Sequence, residues 1–391
     1  MPRDRSIRAP MIYILYSDDY EVFLGGNYRP ETEVLVRTTD RLLSACEAIG
    51  VSMTLFCDVA CLWRYRELGH TDFVSAVENQ LRHAVERGHD VQAHLHPHWI
   101  DTEIEHDGEG ASRYRFDMDR FLLGNIDGQG NPAKRRSITD LLAHARSYLE
   151  DLLRPIDPAY VCTAFRAGGY GIQPGTEEIF TALLDAGYRI DSSVVPGMVL
   201  QSNVNRIDFT TVPERGNYCI SPELGLSRAA GDGIFEIPVA AGRVGSRALA
   251  RADTRRVVRR LKRLPRPVSL GYSIQMTAKR NAPPGLLALA RERARTIRAG
   301  WGMLELCHDA ALMADITRSY VDRCGTGAGD LYFSFSCHSK SIDPAALAAM
   351  REYHRRLEGF YGSKLKAITF REAAHHLETG AGARVPPGAE E

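Results

Sequence analysis

Apolar residues along this chain recur in two rhythms, and the alternation between them sets the expected fold. Residues 11–16, 51–56, 91–95 and 160–165 are short runs rich in β-branched and aromatic side chains, as expected of strands buried on both faces. Between them lie stretches with helical spacing. Residues 71–87 place Phe73, Val77, Leu81 and Val85 at steps of four and end at Gly88. Residues 31–49, with Val34, Leu35, Leu42 and Leu43 inward, end at Gly50. Helices over 137–153 and 175–186 follow the same pattern, with short strands at 188–190 and 234–238. A strand over 331–336, a helix over 343–358, a short strand near Ile368 and a helix over 370–377 close the chain. Strand and helix in turn imply right-handed βαβ units and a parallel sheet.

Three stretches break the rhythm. Residues 99–136 are polar and irregular, and a loop of that length inside a compact domain reads as a lid or binding loop. Residues 243–300 carry 16 Lys/Arg against 2 acids, although the whole chain has 49 of each sign. Within that segment 251–264 sets Val257, Val258, Leu261 and Leu264 among arginines, the pattern of a basic amphipathic helix. A solvated face, pairing with the acidic remainder, and peripheral contact with an anionic membrane or a phosphorylated substrate are the readings open for it. Residues 379–391, rich in Gly, Ala and Pro, read as a disordered tail, and 1–10 as a polar, basic extension. The rest, 11–378, is expected to be one large domain.

Zero net charge gives no global field for nucleic acid. The apolar run at 11–16 is too short for a signal core or a span, so the expected location is the cytoplasm, with the basic segment allowing peripheral contact at the inner membrane surface. Eight cysteines form no C-x-x-C pair and read as reduced core residues, Cys57 and Cys61 included.

Reactive side chains gather where strands end, which in parallel α/β folds is where active sites are built. Asp18 and Asp19 follow the first strand. His94, His96 and His98 follow the third, with Pro97 stopping the ladder. Arg166 and a glycine-rich turn, with Gly169 and Tyr170, follow the fourth, where backbone N–H groups can approach a ligand. Asp191 and His338 follow later strands, and His308–Asp309 is a further acid/imidazole pair read as supporting or structural.

In this order the motifs resemble the polysaccharide deacetylase family, the NodB-homology or carbohydrate esterase family 4 hydrolases, over roughly residues 10–240 and 330–378. The resemblance implies an α/β fold, a distorted (β/α)7-type, TIM-like barrel with insertions. Tyr16-Ser17-Asp18-Asp19 is similar to its first motif, which implies Asp18 as catalytic base and Asp19 as metal ligand. His94 and His98, four apart, match its histidine pair, leaving His96 as a supporting residue. Arg166 would hold the base aspartate, and the backbone N–H of Gly169 or Tyr170 would face the oxyanion. Asp191 would orient His338, the general acid. One divalent metal is implied; Zn²⁺ suits imidazole plus carboxylate, with Mn²⁺, Fe²⁺, Co²⁺ and Ni²⁺ as alternatives.

The implied activity is metal-dependent removal of an N-acyl group, N-acetyl above all, from an amino sugar or glycan precursor. Two other readings stay open: an amidohydrolase using His94 and His96 on a small cyclic or linear amide, and a non-catalytic carbohydrate-binding homologue.

Overall fold

The computed structural model describes residues 10–107, 110–117, 120–125, 138–201, 206–251, 298–325 and 329–379. Residues 1–9 of the expected extension, 252–297 of the basic segment, where the amphipathic helix is expected, and 380–391 of the expected tail lie outside the described residues.

A nine-stranded sheet organises the molecule. From one edge it runs Tyr218–Ile220, Ile234–Glu236, Ile190–Asp191, Ala164–Ala167, β3 (Asp90–Leu95), β2 (Thr54–Asp58), β1 (Ile12–Tyr20) and Leu331–Cys337, with Leu365–Ala367 also pairing β1. All neighbours are parallel except the antiparallel pair of Tyr218–Ile220 with Ile234–Glu236. The sheet curls into a half-barrel, compatible with the TIM-like barrel expected, but among the described residues the path of paired strands does not close. Isolated parallel bridges, Val239 to Ser334 and Glu305 to Ser336, attach two further segments to the Leu331–Cys337 strand.

Strand alternation sorts the side chains into two cores. Ile14, Tyr16, Tyr20 and Val22 of the first strand and its extension join the large cluster under the outer helices. Tyr13 and Leu15 point the other way, into a smaller cluster with Phe56, Ala164, Ile190, Phe235, Ile237 and Tyr332. The helix Phe370–Thr379 seals that interior through Phe370, whose ring lies 4.9 Å from Phe56. One layer up, the Arg166 guanidinium sits over the Phe56 ring, 4.3 Å from its centre. The interior is thus apolar at its base and polar toward the carboxyl ends of the strands.

Two helices went unread in the sequence, Val59–Glu67 and Ala310–Cys324. The second starts at Asp309, whose carboxylate accepts from the Leu312 N–H, and His308 Nε2 lies 2.9 Å from Asp343, the cap of Pro344–Tyr361. Asp309 therefore caps one helix and His308 contacts the cap of another. The described part of 99–136 is also less irregular than expected: a hairpin pairs Glu103–His106 with Ser112–Arg115, anchored by the buried Tyr114 against Trp99 at 4.9 Å. Alternation of buried and exposed residues in Ser112–Arg115 is the strand signal there. All eight cysteines are free, and burial pushes the Cys57 and Cys61 thiols well up, as packing residues require. No described helix is long and apolar enough to cross a membrane.

Candidate metal centre

The interior face of β1 and its extension carries Ser17, Asp19 and Glu21, because residues two apart share a face. Asp19 accepts from Arg166 Nη1 at 2.6 Å. The other donors of that fully buried guanidinium go to Ser192 O, Ser192 Oγ and Ser334 Oγ at 2.8–2.9 Å. Burial would raise the Asp19 pKa, but Arg166 and then His338 outweigh it and hold the carboxyl below its ordinary range.

β3 presents His94 inward, and His96 follows on the same face. His94 Nδ1 donates to the Arg166 carbonyl at 2.8 Å, which leaves the lone pair on Nε2. That Nε2 is buried without a hydrogen-bond partner. Glu21 Oε2 lies 2.6 Å from His96 Nε2 and 3.6 Å from His94 Nε2, in directions that do not make an aligned hydrogen bond. One ligand atom each from Glu21, His94 and His96 falls within 4.8 Å of the others, all three residues buried. This cluster could hold a metal ion: the donors are two imidazoles and a carboxylate, and a backbone carbonyl fixes the His94 tautomer. Gly168 makes room for it, since a Cβ there would stand 2.5 Å from His96 Nδ1.

The cluster differs from the expected set of Asp19, His94 and His98. Pro97 begins a 3-10 turn, Pro97–Asp101, so the strand repeat ends at His96 and His98 turns aside. Its ring lies 4.4 Å from Phe116 and 5.4 Å from Phe121, with neither nitrogen hydrogen-bonded among the described residues. Burial first, then His96, holds His98 well below its ordinary pKa, hence neutral. His96, expected in support, stands in the cluster instead.

Asp18, expected as the base, faces the helices. Its Oδ1 accepts from Ser339 N at 2.6 Å and from the Cys337 thiol at 3.2 Å. Burial raises its pKa from 3.8 to about 6. Because the folded value lies above the unfolded one, its contribution is full below about pH 4 and is lost as pH rises through 6, a swing on the order of 2–3 kcal/mol. Asp18→Asn keeps an acceptor for Ser339 and removes the charge. Its thermal midpoint relative to wild type is therefore expected to improve by about 1–2 °C between pH 5 and pH 8; a difference independent of pH would refute this account.

Asp191 also points away from the interior. It accepts from Ser193 N and Ser193 Oγ at 3.0 and 2.7 Å and lies in register with Glu236. Burial and the facing Asp191 push Glu236 well up, and burial raises Asp191 as well. The carboxylate beside His338 is instead Glu305, 3.4 Å from Nδ1, carried there by the bridge to Ser336. His338 Nε2 lies 3.6 Å from Asp19 and 3.8 Å from Glu21. Burial alone would lower the His338 pKa, yet Glu305 and Asp19 raise it to about 9.

Gly168–Tyr170 forms a 3-10 turn at the end of its strand, with Gly169 at φ 60° and Tyr170 at φ 59°. A tyrosine in that region is strained. Burial and then Asp19 raise the pKa of its buried hydroxyl, which places the ring beside the polar interior. Asp58, unread in the sequence, accepts from the His96 N–H at 3.2 Å; burial raises its pKa. Its signal was available, since Thr54, Phe56 and Asp58 share the inward face of β2.

No family model and no curated protein matches this sequence. Among solved structures, a candidate polysaccharide deacetylase from Mycobacterium smegmatis aligns over 98% of this chain and 95% of its own, at 12% identity and a TM-score of 0.46. A 4-α-glucanotransferase from Thermococcus litoralis aligns over 96% of this chain and 41% of its own, at 12% identity and a TM-score of 0.37.

Proposed function

We propose that this protein is a metal-dependent hydrolase that removes an N-acyl group, most simply N-acetyl, from an amino sugar or sugar-containing precursor. What carries the reading is one arrangement: the Glu21–His94–His96 cluster, the Asp19–Arg166 pair and His338 share one interior face at the carboxyl ends of parallel strands. The motif resemblance to polysaccharide deacetylases supports the acyl-amide substrate.

The roles shift from those the motif implies: the base from Asp18 to Asp19, the carboxylate ligand from Asp19 to Glu21 and the second imidazole from His98 to His96. Asp19 is the base and Glu21 the carboxylate ligand, with His94 and His96 as the imidazoles. Glu21, His94 and His96 would hold a divalent cation, which would supply Lewis-acid polarisation of an acyl oxygen and lower the pKa of water. Asp19, fixed by Arg166, accepts the proton of the attacking water as its oxygen bonds to the acyl carbon. His338, flanked by Glu305, delivers a proton to the nitrogen as the C–N bond breaks, so the amine leaves neutral. The backbone N–H groups of the Gly169–Tyr170 turn, or the Tyr170 hydroxyl, donate to the developing oxyanion.

The test is acetate release from free, nucleotide-linked and lipid-linked N-acetylamino sugars, with protein stripped of metal and reloaded with single divalent ions. Release is expected to require metal, to fall by about 10³-fold or more in Asp19→Asn and His338→Ala, and to persist in Asp18→Asn. A sample that binds metal and releases acetate from none of these substrates would overturn the deacetylase reading.

A further inference from the structure

Lys340 is buried beside the cluster, and nothing in the proposed chemistry uses it. Its side chain is 8% exposed, and its ammonium lies 2.5 Å from Glu21 Oε1 and 3.1 Å from the Val22 carbonyl, over the Phe23 ring at 5.7 Å. The turn that carries it, Ser339–Ser341, is fixed on both sides: Ser339 N donates to Asp18, Thr39 donates to Ser339 Oγ at 2.8 Å, and Ser341 N donates to the His338 carbonyl. The ammonium is therefore set by the fold onto one oxygen of Glu21, while the other oxygen faces His94 and His96.

We infer that Lys340 is a positioning residue that confines Glu21 to a single ligand oxygen and weakens the site's grip on a divalent cation. The inference rests on the metal-centre reading above. Two physical effects act together. With Oε1 occupied by a strong donor, only Oε2 remains for a metal, so the carboxylate cannot chelate and positions stay open for water and substrate. A unit positive charge on the same carboxylate also repels a cation and withdraws negative charge from the ligand oxygen, in an interior where charges are poorly screened. The result is a site that trades affinity for a more electrophilic metal.

Deleting a supporting hydrogen-bond partner of a metal ligand commonly costs about 10–100-fold in affinity, because orientation is lost. Here the partner is itself a cation, and the repulsion removed outweighs the orientation lost. Damage to the fold cannot tighten a metal site, so tighter binding separates the two causes.

The experiment is Co²⁺ affinity, measured at pH 8 by competition with a chelator of known strength, for wild type, Lys340→Met, Lys340→Arg and His94→Ala, each checked for an intact melting transition. Lys340→Met is expected to bind Co²⁺ at least about tenfold tighter than wild type, and Lys340→Arg, which keeps the charge, to stay near wild type. Equal or weaker binding by Lys340→Met, against a wild type that binds and a His94→Ala that does not, would overturn the inference and leave the metal centre standing. If wild type and His94→Ala fail alike to bind, the metal-centre reading falls first and this inference with it.

Discussion

Replacing Arg166 with methionine is expected to cost about 3–5 kcal/mol of stability, the largest single-site loss in the molecule's polar interior. The guanidinium is fully buried, and its donors are spent on Asp19, Ser192 and Ser334. Methionine fills much of the space over Phe56 but leaves the Asp19 carboxylate, 7% exposed, without its hydrogen-bonded counter-charge, with the His338 imidazole at 3.6 Å as partial compensation. An uncompensated buried charge is what makes such a deletion severe; the intact pair need not stabilise the fold by a similar amount. The second substitution distinguishes these. In Arg166→Met/Asp19→Asn the stranded charge is gone, so at least half of the lost stability is expected to return in denaturant unfolding. A double variant as unstable as the single one would mean that packing, not charge, sets the cost. Turnover is not expected to return in the double variant, since Asn cannot accept the proton.

That pair also shows how much of the site was legible from sequence. Arg166 at a strand end, Asp18–Asp19 at another and three histidines at a third gave the right ends of the right strands, because hydrophobic runs and their polar terminations are local signals. What the residue names alone did not give was the face. A strand exposes alternate residues to opposite sides, so a one-position choice between Asp18 and Asp19 decides between helix layer and interior. The small interior cluster holds Tyr13 and Leu15, and continuing that parity reaches Ser17, Asp19 and Glu21. The same parity on Leu331–Cys337 takes Tyr332 to Ser334, Ser336 and His338. Applied to 190–192 it sends Ser192 inward and Asp191 outward, as observed. Glu305 was beyond this reasoning. It reaches His338 through an isolated bridge in a segment with almost no strand pattern of its own, and only tertiary pairing puts it there.

The sharpest test of the parity argument lies in the histidine run, and there the two assignments predict opposite outcomes. His96→Ala is expected to lower divalent-cation affinity by more than about 100-fold, because it removes one of three ligand atoms, a larger loss than that of a supporting partner. His98→Leu is expected to leave affinity within about threefold, since its ring packs against Phe116 and Phe121 and, although it lies 5.2 Å from the His96 ring, it stands outside the group of ligand atoms that Glu21, His94 and His96 bring within 4.8 Å of one another. The stabilities should diverge as well. A neutral imidazole always carries one N–H, and in His98 that donor is buried without a partner among the described residues, a penalty of about 1–3 kcal/mol. Leucine, close to imidazole in volume, removes the donor and keeps the apolar contacts, so His98→Leu should melt at or above the wild-type temperature. The histidines four apart would be the ligands if His98→Leu lost the metal and His96→Ala kept it. The expected pattern is the reverse, because Pro97 ends the strand and only His94 and His96 stand two residues apart on one face.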